Sequence, residues 1–132
     1  MHLRLLRLFL GFAAFAWGIC IVGVFASWEQ VNVIAQGMGA KSIAFDPMLD
    51  YWLRMVCGAF TLVGVWYLAL AIWPRKFAVA IPWFGWLMVA EGAILLISGL
   101  RLGIGPFPFW GDVAACLIGG AGILIFAKAA RS

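Results

Sequence analysis

Histidine is nearly missing from this chain, His2 being the sole example. That excludes a histidine-based metal centre in a folded core and leaves no histidine within an apolar run to hold a haem. Charge is scarce as well. Asp, Glu, Lys and Arg make up 11% of the residues and hydrophobic types 67%, whereas soluble domains run nearer a quarter charged and half apolar. The shortage argues against a water-soluble domain and for an integral membrane protein. Cysteine occurs three times, as Cys20, Cys57 and Cys116, always inside apolar sequence and never as CxxC. An odd, scattered set is no disulfide framework. Also absent are a Ser/His/Asp set, a metal-ligand cluster and a glycine-rich phosphate loop. No catalytic residue, metal or cofactor is therefore expected, and nothing indicates an enzyme. The formal charge of +4 does not indicate nucleic acid, because the basic residues flank the apolar segments, where they set topology. No internal repeat is evident.

What is present is long apolar sequence. Phe77–Leu100, FAVAIPWFGWLMVAEGAILLISGL, gives about 24 residues with one acid, Glu91, near its middle, enough to cross a bilayer with some tilt. Three more spans are predicted, at Leu8–Ala26, Tyr51–Trp73 and Asp112–Ala127, the last short and beginning within Phe107-Pro108-Phe109-Trp110. Together they make a single transmembrane domain of 132 residues. Leu8–Ala26 follows Arg4 and Arg7 as a signal peptide would, and Val24-Phe25-Ala26 would suit a cleavage site. Its roughly 19 residues are long for a signal core and right for a retained helix. Cys20 follows Ile19 rather than a small residue, so it is not a lipoprotein cysteine.

Arg4, Arg7, Arg75, Lys76, Lys128 and Arg131 fall on one side of four such spans, and Lys41 and Arg101 on the other, with Arg54 just inside the membrane. That bias places both termini in the cytoplasm. Trp28, Trp52 and Trp110 at the outer boundary and Trp73 and Trp83 toward the inner one agree with it. The expected fold is all-α: an antiparallel four-helix bundle in a membrane, both termini inside, with a longer outer loop between helices 1 and 2. Pro74-Arg75-Lys76 reads as a tight turn that makes the second and third spans neighbours. Arg101–Gly111, RLGIGPFPFWG, reads as an interfacial turn. In Ser27–Leu49, Val31, Ile34 and Met38 at helical spacing predict a short surface helix before an irregular return. It either packs over the bundle end or closes a polar opening.

Small residues mark where helices meet in lipid. The candidate stripes are Gly11, Ala14 and Gly18; Gly58, Thr61 and Gly64; Gly85, Met88, Gly92 and Gly99; and Ala115, Gly119 and Gly122. Pro82 falls in the first turns of the third span, where its missing donor costs least. Cys20 counts to the side of its helix away from the Gly11–Gly18 stripe, while Cys57 and Cys116 fall near inward faces. All three are read as packing residues rather than a soft-metal site.

Six charges belong to the outer half: Asp46, Asp50, Arg54, Glu91, Arg101 and Asp112. A carboxylate at mid-membrane costs about 3 kcal/mol even on insertion scales, so Glu91 needs a partner, a proton or water. Glu91 lies roughly 13 Å below the outer end of its helix and Arg54 about 6 Å below its own, a gap an arginine side chain spans. Arg54–Glu91 is the expected pair, with Asp50 one turn above Arg54 as a second partner. The pair either fixes which helices are neighbours or lines an outward-facing pocket for an ion, a lipid headgroup or a proton. Arg101 is expected to pair with Asp112 or Asp46, and Asp112 also suits an N-cap for the fourth helix.

DPMLDYWLRMVCGAF (Asp46–Phe60), the Pro74-Arg75-Lys76 turn and the Glu91-Gly92 step resemble small uncharacterised bacterial four-helix membrane proteins classed as domains of unknown function, over about Trp28–Phe126. That resemblance implies this fold in a bacterial inner membrane, and no activity. EGAILLISGLR, Glu91–Arg101, is similar to a motif of the DoxX-like membrane family, which would imply an accessory role in sulfur or quinone redox chemistry. Small multidrug transporters also have four spans, but with their membrane acid in the first, where this chain has none. Three functions stay open. The first is a structural or interaction subunit of a membrane complex or homo-oligomer, favoured by the small-residue stripes. The second is a small transporter or an ion or headgroup binder using Arg54 and Glu91, and the third a redox accessory protein. Membrane lipid and other membrane subunits or further copies are the expected partners.

Overall fold

Apolar runs of this length satisfy their backbone in lipid only by hydrogen bonding internally, and here they do so as helices. The computed structural model describes residues 1–131. Its elements are α1 (His2–Gly18), α2 (Ile21–Phe25), α3 (Trp28–Gly37), α4 (Pro47–Ile72), α5 (Ile81–Leu102) and α6 (Pro106–Phe126), then a 3₁₀ turn at Ala127–Ala130. No strand occurs among the described residues. Four stretches are long and apolar enough to cross a membrane: His2–Phe25, Pro47–Ile72, Ile81–Leu102 and Pro106–Ala130. Leu62, Ile97, Ile118 and Ile125 point outward and are more than half exposed, a surface compatible with a multi-pass membrane protein.

Helix limits differ from the sequence expectation for local reasons. The first stretch starts at His2 rather than Leu8, so Arg4 and Arg7 ride on its opening turns. It tightens at Ile19 and Cys20, where the Cys20 N–H bonds three residues back to Trp17, and ends where Ala26 turns extended. α5 begins at Ile81, because Pro82 lacks an N–H and fits the first helical positions. Residues 77–80 are turn instead of helix. α6 begins at Pro106, with an extended break at Phe107, so Asp112 lies within the helix and caps nothing.

Contact registers follow the glycines. α1 packs along α4 and α6, and α6 along α5. A Cβ on Gly64 would lie 2.5 Å from the Gly18 nitrogen and 3.0 Å from the Ala14 carbonyl oxygen, so α1 and α4 touch backbone to backbone there. Leu117 sits over Gly92 and Leu124 over Gly85, which runs α5 antiparallel to α6. Met88 and Phe9 cover Gly119 and Gly122. Gly11 and Gly58, by contrast, face open space. α4 and α5 are linked by residues 73–80 rather than by a three-residue turn, and they do not pack closely along their length. They meet through Tyr67, whose hydroxyl donates to the Phe84 carbonyl oxygen at 2.8 Å and whose ring lies edge-on to that of Phe84.

Large buried side chains concentrate near the termini: Leu6, Leu10, Tyr67, Leu70, Ile81 and Ile123 are essentially fully buried. Toward the other end the gap between α4 and α5 is not filled, and a cavity remains. α3 stays outside this packing. Ser27 and Gln30 form a capping box at its start. The return strand of loop is clamped by Asn32, whose side chain bonds both the N–H and the carbonyl of Ile43. Asp46 then opens α4, its Oδ1 accepting from the Met48 and Leu49 N–H groups at 2.8 and 3.1 Å.

Candidate functional site

The cavity measures about 270 Å³ and takes walls from four helices: Ala16, Trp17 and the following Cys20 from the first stretch, Phe60 from α4, Met88, Glu91 and Leu95 from α5, and Asp112, Ala115 and Cys116 from α6. The spacing explains the set. Met88, Glu91 and Leu95 are three and four residues apart and so share one face of α5, as Asp112 and Cys116 share one face of α6. Gly92 lets α6 close to contact, with Leu117 and Cys116 against it. Glu91, one residue earlier, is thereby carried to the edge of that contact and lines the cavity. Trp17 and Phe60 meet edge-on, ring centroids 5.0 Å apart, as the aromatic part of the lining.

No Arg or Lys lines the cavity. Glu91, half-buried, and Asp112, exposed, have no hydrogen-bond or ion-pair partner among the described residues. The sulfur atoms of Cys20, Met88 and Cys116 share the space, yet no group of three or more metal-ligating side chains is assembled among the described residues. The arrangement sets two carboxyl groups without a basic partner in an apolar, aromatic hollow, which in their ionised form favour a cationic guest over a neutral or anionic one.

Arg54 is not part of this site, and the expected Arg54–Glu91 pair does not form. Its Nη1 donates to the carbonyl oxygens of Gly23 (2.8 Å), Val24 (3.2 Å) and Ala26, and its Nη2 to Asp50 Oδ1 at 2.7 Å. The physical reason lies in the helix end. α2 stops with carbonyls that no further turn can satisfy, and a guanidinium with five N–H donors is the side chain best able to collect them. Those acceptors are nearer than Glu91 and have a prior claim. Asp50 is the acid four residues before Arg54 on the same helix, and it makes the one ion pair among the described residues. Arg101 sits exposed in the last turn of α5, with neither Asp112 nor Asp46 in ion-pair contact. Asp46 is engaged as the α4 cap.

Of the candidate residues, then, Glu91 and Asp112 come together, Asp50 and Arg54 form a separate joint, and Arg101 stands apart. Trp17, Cys20 and Phe60 were missed as lining residues. Cys20 counted away from the Gly11–Gly18 stripe, but α1 has protein on two sides, α4 and α6, so the side opposite one stripe still faces inward. The short helix expected after Ser27 does form as α3, without contributing to the cavity lining. No protein family, curated protein or solved structure matches the chain.

Proposed function

We propose that this chain is a multi-pass membrane protein, an antiparallel four-helix bundle with both termini cytoplasmic, that binds a small organic cation in the cavity lined by Glu91 and Asp112. The observation that carries this reading is the pair of carboxylates sharing one enclosure without a basic partner. At about 270 Å³ the cavity falls just below the usual range for drug-sized ligands, which suits an ammonium group with a short apolar body. Trp17 and Phe60 add ring faces or edges for the cation's alkyl groups. Isothermal titration of the detergent-solubilised protein with choline and with its uncharged carbon isostere, 3,3-dimethylbutanol, separates charge from shape. Choline is expected to bind at least tenfold more tightly, about 1.4 kcal/mol, and Glu91→Gln or Asp112→Asn to reduce that preference. Equal binding of the two probes, or variants indistinguishable from the parent, would remove the basis of the proposal.

A second reading, an interaction subunit or homo-oligomer, is favoured by a different feature. Along the α1–α6 seam an apolar groove of about 550 Å³ has Phe9 and Phe12 on one wall and Gly111, Ala115 and Gly119 on the other. Small residues at four-residue spacing admit a close helix. Ala115→Leu would abolish an assembly seated there, whereas a parent chain that is monomeric by mass in nanodiscs speaks against it.

A further inference from the structure

The end of the molecule that bears the termini holds a second hollow, open on one side and of opposite charge. A cavity of about 390 Å³ lies where the first turns of α1 meet the link after α4, lined by Leu3 and Arg7 on one side and by Ile72, Trp73, Arg75 and Lys76 on the other. Arg7, Arg75 and Lys76 are exposed, and none is ion-paired among the described residues. The chain has five acids: Glu29, Asp46, Asp50, Glu91 and Asp112. Glu29 is in α3, Asp46 and Asp50 open α4 at its opposite end, and Glu91 and Asp112 line the other cavity. Among the described residues no carboxylate lines this second hollow. Lys76 Nζ lies 5.7 Å from the Phe77 ring centroid, a contact that uses none of its N–H donors in a hydrogen bond.

These three exposed cations have no anionic partner among the described residues and can take one from outside. The rest of the lining narrows its chemistry. Leu3 and Ile72 supply apolar carbon beside the cations, and Trp73, like Ile72 about half exposed, stands where α4 ends. Cations, apolar carbon and an indole side by side at a helix end are the mixture of side chains that meets a phosphate headgroup at a membrane interface. We propose that this cavity binds a phosphate group, presented as the phosphodiester of an anionic glycerophospholipid in the leaflet facing the termini. Topology alone would require basic residues at this end without gathering them into one enclosure. Arg4 and Arg131 serve topology equally well and lie outside it. The inference rests on the chain spanning a membrane and is independent of what the Glu91 cavity binds.

The test uses the full chain purified in a neutral detergent, with phosphatidylglycerol, phosphatidylcholine or inorganic phosphate added and binding read by native mass spectrometry and thermal shift. Phosphatidylglycerol is expected to bind at least tenfold more tightly than phosphatidylcholine. Arg7→Gln, and Arg75→Gln combined with Lys76→Gln, should erase the preference, while Lys76→Arg and the control pair Arg4→Gln with Lys128→Gln keep it. If millimolar inorganic phosphate alone displaces phosphatidylglycerol and follows the same variant pattern, the site stands and the free anion is its ligand. No lipid preference, or an equal loss in the control pair, overturns the proposal. The thermal unfolding midpoint of each variant without added lipid reports folding, so the outcome does not depend on what the Glu91 cavity binds.

Discussion

Replacing Arg54 by Met removes the joint that ties the end of α2 to the start of α4. One guanidinium serves the carbonyls of Gly23, Val24 and Ala26 as well as Asp50, and the Arg54 and Asp50 side chains are 26% and 28% exposed. Hydrogen bonds to a charged group contribute about 1.5–3 kcal/mol each where buried. Here one nitrogen is shared among three acceptors, and water reaches part of the group, so the summed loss is well below four such bonds. About 2–4 kcal/mol is expected for Arg54→Met, read by equilibrium unfolding in mixed micelles with circular dichroism. The decisive quantity is a pair of double-mutant cycles. Arg54→Met with Asp50→Asn should couple by about 1 kcal/mol, above the roughly 0.5 kcal/mol of an exposed helical pair. Arg54→Met with Glu91→Gln should be additive to within about 0.5 kcal/mol, as for residues without shared partners. A stronger coupling of Arg54 to Glu91 than to Asp50 would refute the placement of both residues.

Four further outcomes use simple readouts. Gly64→Ala should destabilise by about 1–3 kcal/mol, because the new methyl meets the Gly18 and Ala14 backbone. Gly58→Ala, facing open space, should be neutral or stabilise by up to about 1 kcal/mol in the same titration. Tyr67→Phe loses the hydroxyl bond to Phe84 that joins α4 to α5, and should cost about 1 kcal/mol. Ser27→Ala removes the capping box and should cost α3 about 1 kcal/mol. That loss should appear as faster amide exchange at Gln30 and Val31 with global stability unchanged, since α3 packs on no other helix extensively.

Helices were legible in this sequence where the apolar runs were long, and less so at their ends. The four membrane-length stretches and the short helix after Ser27 could be read from run length, periodicity and the polar loop. Pro82 and Pro106 mark true helix starts, but an apolar flank on either side hides them from a hydropathy reading. Stripes of small residues identified Gly64, Gly92 and Gly119 as close contacts and wrongly included Gly11 and Gly58, because spacing does not say which neighbour arrives. Glu91 was legible as a residue needing explanation. Its company was not, because depth along a helix fixes height and leaves azimuth open. Arg54 had the right height to reach Glu91, but the carbonyls that hold it appear only once α2 ends at Ala26.

The central claim is that the four-helix cavity carries unpaired negative charge within reach of small solutes, and Cys20, which lines it, is a native reporter. Rates of Cys20 modification by a cationic trimethylammonium methanethiosulfonate and by its anionic sulfonate counterpart can be resolved by peptide mass and normalised to a free thiol. The cationic reagent should react at least tenfold faster, with the difference collapsing when Glu91→Gln and Asp112→Asn are combined. Equal rates in the parent chain, or faster reaction of the anion, would contradict it.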